Sequence, residues 1–139
     1  MAMLFAQARL SPVLIGQILA TAAHNDDAEY INSVREEYTK RRNLLVELLN
    51  EIPGVKCPTP KGAFYCVAEL PVEDADDFAQ WLLEHFSDNG ETVMVAPASG
   101  FYSVPELGKK QVRIAYVLKE EDLRRSVELI KIALEHYKK

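Results

Sequence analysis

The chain has 139 residues, 48% hydrophobic and 27% charged, with 6 Gly and 7 Pro. Those values suit one globular domain and exclude collagen-like, low-complexity and disordered chains. Lys and Arg number 16 against 21 Asp and Glu, a net charge of −5, which argues against nucleic acid as the main partner because phosphate binding needs a basic surface.

Ser11-Pro12 is a helix-start signal, since Ser caps and Pro suits the first helical position. Leu14, Ile15, Ile18, Leu19, Ala22 and Ala23 follow at helical spacing, so a first helix is predicted to end near His24-Asn25. Asp26 with Glu29 reads as a second start. Ile31, Val34, Tyr38, Leu45, Leu48 and Ile52 place one apolar face on a long helix that Pro53-Gly54 stops. Cys57 to Gly62 is a Pro-punctuated loop, and Ala63 to Ala68 reads as a strand ended by Pro71. Asp74 can cap a third helix carried by Phe78, Trp81, Leu82 and Phe86. After the Asn89-Gly90 turn, Thr92–Ala96 is predicted as a short strand, 97–110 as a loop and Val112–Leu118 as a further strand. Glu120-Glu121-Asp122 opens a last helix with an apolar stripe of Leu123, Val127, Ile130, Leu134 and Tyr137. The pattern predicts an α+β fold: a small, mainly antiparallel sheet of about three strands covered by helices, with a long N-terminal helix.

No apolar run approaches the ~20 residues that cross a bilayer, and no secretory leader is visible, so a cytoplasmic chain without a membrane partner is expected. Cys57 and Cys66 form no Cys-x-x-Cys pair; reduced thiols are the expectation, with Cys66 a small core residue. Residues 62–108 hold no Lys or Arg and nine acids, which read as a solvated acidic face. No metal-ligand spacing, Walker loop or nucleophile elbow occurs, and His24, His85 and His136 are scattered.

Alternation in the last strand sets Val112, Ile114, Tyr116 and Leu118 on one face and Arg113, Ala115 and Val117 on the other. An Arg between apolar neighbours on a covered strand is costly to leave unpaired. Its planar fork matches a carboxylate, and the small Ala115 leaves its face open to a ligand. The alternatives are an Arg reaching solvent at the strand end, or one paired with a structural acid. Gly62, at the start of the Gly-Ala-Phe-Tyr strand, either admits a ligand close to the backbone or marks a plain turn. Pattern alone stops at an α+β domain with an anion site at Arg113.

Taken in order, several segments resemble the C-terminal part of class I/II, fold-type I aminotransferases, above all the aspartate aminotransferase group. They are Phe5-Ala-Gln-Ala-Arg-Leu-Ser-Pro12, Glu36-Glu-Tyr-Thr-Lys-Arg-Arg42, Pro60-Lys-Gly-Ala-Phe-Tyr65, Thr92-Val-Met-Val-Ala-Pro-Ala-Ser-Gly-Phe-Tyr102 and Gln111-Val-Arg-Ile-Ala-Tyr116. The resemblance implies pyridoxal phosphate in the parent enzyme, and amino-group transfer between an amino acid and a 2-oxo acid. It implies that Arg113 binds the substrate α-carboxylate, that Phe64 lines the pocket, and that Gly62 lets its strand approach. It places residues 1–25 in the tail of a larger domain with a connecting helix, and residues 26–139 in the small C-terminal domain. No Lys here has the Ser-x-Ser-Lys context of the Schiff-base residue. The chain is therefore expected to begin after that segment, to bind no cofactor, to be inactive alone, and to belong to a homodimer. The alternative is a standalone carboxylate-binding or interaction module on the same fold.

Overall fold

The computed structural model describes residues 13–24 and 28–137; the start signals at Ser11-Pro12 and Asp26 lie outside them. Contacts divide the chain into two units, Met1–Arg35 and Glu36–Lys139, with the boundary inside the second helix. In the first unit, α1 (Leu14–His24) buries no side chain, and Leu14, Ile15, Ile18 and Leu19 are exposed. The long helix α2 (Ala28–Asn50) starts in this unit with Ile31 and Val34 also exposed.

The second unit holds the core. There α2 presents Leu45, Val46 and Leu49, followed by Ile52 just beyond its end, and all four are buried. Gly54 turns the chain at φ +84°, a left-handed value that suits Gly. Three strands follow in the spatial order β1-β3-β2, all antiparallel: β1 (Tyr65–Glu69), β2 (Ala96–Pro97) and β3 (Gln111–Ala115). Helix α3 (Ala75–Glu84) starts as the sequence predicts, with Asp74 Oδ1 accepting from the Asp76 N–H at 2.9 Å. Helix α4 (Glu120–His136) buries Leu123, Val127, Leu129, Ile130 and Ala133. Among the described residues no helix is long and apolar enough to cross a membrane.

The sheet's core face carries Cys66, Ala68, Val112 and Tyr116, all buried. An aromatic cluster closes the core under α3. Phe78 stacks on Trp81 at 6.2 Å, and Tyr137 meets Phe78 edge-on at 5.0 Å. Arg125 ties α4 to the 88–91 turn through Asp88 at 2.7 Å and Glu91 at 2.8 Å, with Glu128 on its own helix at 2.9 Å. These three carboxylates hold the guanidinium above its ordinary pKa, Asp88 most strongly.

All three strands are shorter than predicted, and β1 starts at Tyr65 rather than Ala63, whose φ of 66° is not extended. The pairing of β2 begins only at Ala96; ahead of it, Thr92 Oγ1 donates to the Leu82 carbonyl at 2.8 Å and ties the start of that segment to the end of α3. Strand β3 ends at Ala115 rather than Leu118, which is exposed. The Val117 carbonyl is taken by Arg41 Nη1 at 2.7 Å, so a side chain replaces a strand partner there.

Candidate carboxylate-binding site

Arg113 sits on the central strand, opposite Val67 of β1 and Ala96 of β2. Its neighbours Val112 and Ile114 point to the other side, so alternation places Arg113 on the face away from the core, where it is exposed. Two aromatic rings flank the guanidinium. Its carbon lies 5.2 Å from the centre of Tyr65 and 4.9 Å from that of Phe101. Among the described residues every ion pair involves other side chains, and no carboxylate pairs with Arg113. The guanidinium carbon thus lies within cation–π range of two rings, and its exposed N–H donors can meet a planar anion.

The flanks are held by the backbone around them. Tyr65 belongs to β1, in register with Ala115, two residues beyond the Arg. Phe101 ends a short 3-10 turn (Ser99–Phe101), which is tethered where the Ala98 N–H donates to the Gln111 carbonyl at 2.9 Å. Ser99 Oγ donates to Asp76 Oδ2 at 2.6 Å, and Tyr102 Oη donates to Gln111 Oε1 at 2.7 Å. A second 3-10 turn, Pro105–Gly108, closes against the first. A Cβ on Gly108 would lie 2.7 Å from the Ala98 carbonyl oxygen, so only Gly allows the two turns to seat at this distance.

Phe64 and Gly62 lie on the segment leading into β1. Phe64 is 55% exposed and meets Tyr65 edge-on at 5.6 Å, so it is a surface aromatic beside the Arg flank rather than a core residue. Gly62 is exposed, with nothing within 4 Å of the place a Cβ would take. Between them Ala63 adopts φ 66°, a left-handed conformation that a non-Gly residue holds only under constraint. Tyr116 supplies that constraint. Its N–H donates to the Phe64 carbonyl and its hydroxyl to the Ala63 carbonyl, both at 2.9 Å. Burial pushes the Tyr116 hydroxyl above the usual phenol pKa, an effect that nearby Arg42 opposes. Arg42 Nη1 also donates to the Pro60 carbonyl at 3.4 Å. Tyr116→Phe is expected to cost about 1–2 kcal/mol in chemical denaturation, because it strands the Ala63 carbonyl, and to loosen the 62–64 segment. Unchanged stability together with unchanged amide exchange at Phe64 would show that the hydroxyl constrains nothing.

Arg113 also borders a cleft of about 500 Å³ between the Thr92–Ala96 segment and the connection from β3 to α4. Its walls are mostly apolar, including Met94, Val117 and Leu118, with Thr92 and Ser126 as polar exceptions.

Of the residues singled out from sequence, Arg113 faces out of the core as alternation requires, while Phe64 and Gly62 lie along the segment that feeds β1. The flanking roles of Tyr65 and Phe101, and the anchoring by Tyr116, were not read from the sequence. Their only signals were the aromatic pairs Phe64-Tyr65 and Phe101-Tyr102, which do not say which ring turns toward the Arg.

The family model for aminotransferase class I and II matches residues 2–130. The chain is 34% identical to the aspartate aminotransferase of Bacillus subtilis, over 91% of its own length and 32% of that protein. Among solved structures, it superposes on the aspartate aminotransferase of Rhizobium meliloti with a TM-score of 0.75 and 30% identity, covering 96% of this chain and 34% of that one. It superposes on BacF of Bacillus subtilis with a TM-score of 0.68 and 37% identity, covering 81% and 27%. The chain thus spans about a quarter to a third of the length of the curated relatives that it matches first. Both the ordered motifs and the fold that carries them are those of one family: the chain belongs to the class I and II aminotransferases.

Proposed function

We propose that this chain is the substrate-carboxylate-binding domain of an aminotransferase acting on an amino acid and a 2-oxo acid. The observation that carries the reading is Arg113, exposed on the central strand, framed by Tyr65 and Phe101, and without a carboxylate partner among the described residues. Its fork would take the α-carboxylate through two parallel hydrogen bonds. The two rings add cation–π attraction that helps hold the guanidinium in place, and a held fork would orient the substrate. Phe64 would form one side of the pocket, and Gly62 would let a ligand come close to the backbone.

The family works with pyridoxal phosphate, and the described residues do not fit that cofactor. None of them buries a polar or charged side chain, whereas a Schiff-base Lys and a phosphate cup need several such groups in a sheltered site. Lys56 and Lys109 face Glu69 and Asp74 at the surface. We therefore assign the cofactor and its Lys to another part of the parent enzyme, and no step through the cofactor to this chain. Residues 1–25 would belong with that larger part, and 26–139 would form the small domain. The exposed apolar side chains of α1 support burial against a partner surface, in keeping with a homodimeric parent.

Co-expression with the complementary large domain of an aspartate-aminotransferase-type enzyme tests this reading. The assembled protein is expected to sediment as a dimer and to transfer amino groups, while the 139-residue chain alone turns over nothing. Transaminase activity in the purified chain alone, or none in an assembly that demonstrably forms, would overturn it.

A further inference from the structure

Past Arg113 the central strand has an open side. Strand β2 pairs with β3 only at Ala96 and Pro97, and Arg113 is the last β3 residue that it reaches. Ahead of Ala96 the chain makes no ladder with β3, and its start is tied at Thr92 to the Leu82 carbonyl. Between that segment and β3 lies the cleft of about 500 Å³ that Arg113 borders. Buried Leu123, Val127 and Ile130 line it from α4, and exposed Met94 and Val117 line it from either side. Ala115, the next residue on the Arg113 face of β3, is too small to fill it.

Charge enters this lining at one place. Among the described residues that form it, Arg113 alone is charged, and Thr92 and Ser126 alone carry hydroxyls. Both hydroxyls already donate to backbone, Thr92 Oγ1 to Leu82 and Ser126 Oγ to the Asp122 carbonyl at 2.7 Å. The neighbouring cations are engaged elsewhere or stand outside. Arg41, which reaches the Val117 carbonyl, is paired with Glu37. Arg125 is held by Asp88, Glu91 and Glu128. Lys119, just ahead of α4, is exposed and not part of the lining. Residues 62–108 contain no Lys or Arg. A second carboxylate in the cleft would lose water and find no donor in its place. An apolar group would leave water for apolar walls, which is favourable.

We infer that the carboxylate held by Arg113 belongs to an amino acid, or its 2-oxo acid, with a branched or aromatic apolar side chain, and that this side chain lies in the cleft. The inference rests on the carboxylate-binding reading and narrows it to a substrate class. One cation at the border of an apolar cleft complements a ligand with one anionic head and an uncharged tail. The volume falls within the ~300–1,000 Å³ of ordinary small-molecule sites. Met94 and Val117 are then specificity-determining residues, and dicarboxylic substrates are selected against.

The test is an NMR titration of the isotope-labelled 139-residue chain with the 2-oxo acids of alanine, leucine and glutamate. All three should shift the amides of Tyr65 and Phe101. The leucine acid should also shift those of Met94 and Val117 and bind at least ~10-fold more tightly than the alanine acid. The glutamate acid should bind no more tightly than the alanine acid. Met94→Asp and Val117→Asp alter exposed side chains, so the core stays intact, and each should abolish the advantage of the leucine acid. Arg113→Ala should abolish the shifts at both places. Shifts at Tyr65 and Phe101 without any at Met94 and Val117, or equal affinity for the leucine and glutamate acids, would overturn the inference and leave the carboxylate reading standing. Cleft shifts that persist in Arg113→Ala would make the cleft a surface for some other apolar occupant, and would overturn it too. No response at Tyr65 and Phe101 to any of the three would remove the carboxylate reading, and this inference with it.

Discussion

Arg113→Ala, in this chain assembled with a complementary large domain, is expected to lower kcat/KM by about 100- to 1,000-fold, since two charge-assisted hydrogen bonds to a carboxylate are lost. Nothing else described replaces them, because Tyr65 and Phe101 offer rings rather than a second cation. Arg113→Lys keeps the charge and loses the fork, so it should recover only part of the loss. An amine substrate without the α-carboxylate provides the control: its slow turnover should be nearly indifferent to the substitution. Equal losses for both substrates would mean that the variant damages the fold. Wild-type kcat/KM in Arg113→Ala would remove the carboxylate assignment altogether.

Phe78→Ala is expected to destabilise the second unit by about 3–5 kcal/mol, the range for truncating a fully buried aromatic. Phe78 has no exposed surface and contacts both Trp81 and Tyr137, so the loss combines a cavity with two broken ring pairs. A domain is commonly stable by only ~5–15 kcal/mol, so this one change removes a large share. The midpoint of thermal unfolding should fall by roughly 15 °C or more. A fall of only a degree or two would place the centre of the core elsewhere.

Much of this was legible in the sequence because it depends on local periodicity. Asp74 ahead of an apolar helical repeat identified a cap and its helix, and the alternation of Val112 and Tyr116 against Arg113 told which side of β3 faces the core. What failed was non-local. Whether Thr92–Val95 pairs with β3 depends on where the assembled chain carries that segment, with Thr92 Oγ1 on the Leu82 carbonyl, and no window around Thr92 contains that. Strand β3 was read too long for the same reason, since Arg41 arrives at Val117 from a distant helix. The rings around Arg113 come from β1 and from the 3-10 turn beyond β2, and only the assembled sheet brings them together. The family resemblance singled out Arg113 as the expected carboxylate ligand by matching motifs, but it said nothing of which rings lie beside it.

The seating of the two 3-10 turns at Gly108 has a consequence for sequence variation. Any side chain at that position would be forced against Ala98 and the Tyr102 ring, and the turn bearing Phe101 would have to yield. Freedom to mutate around Arg113 therefore does not simply grow with distance from its guanidinium. A larger residue there would require the turn bearing Phe101 to move, and with it one of the two rings beside Arg113.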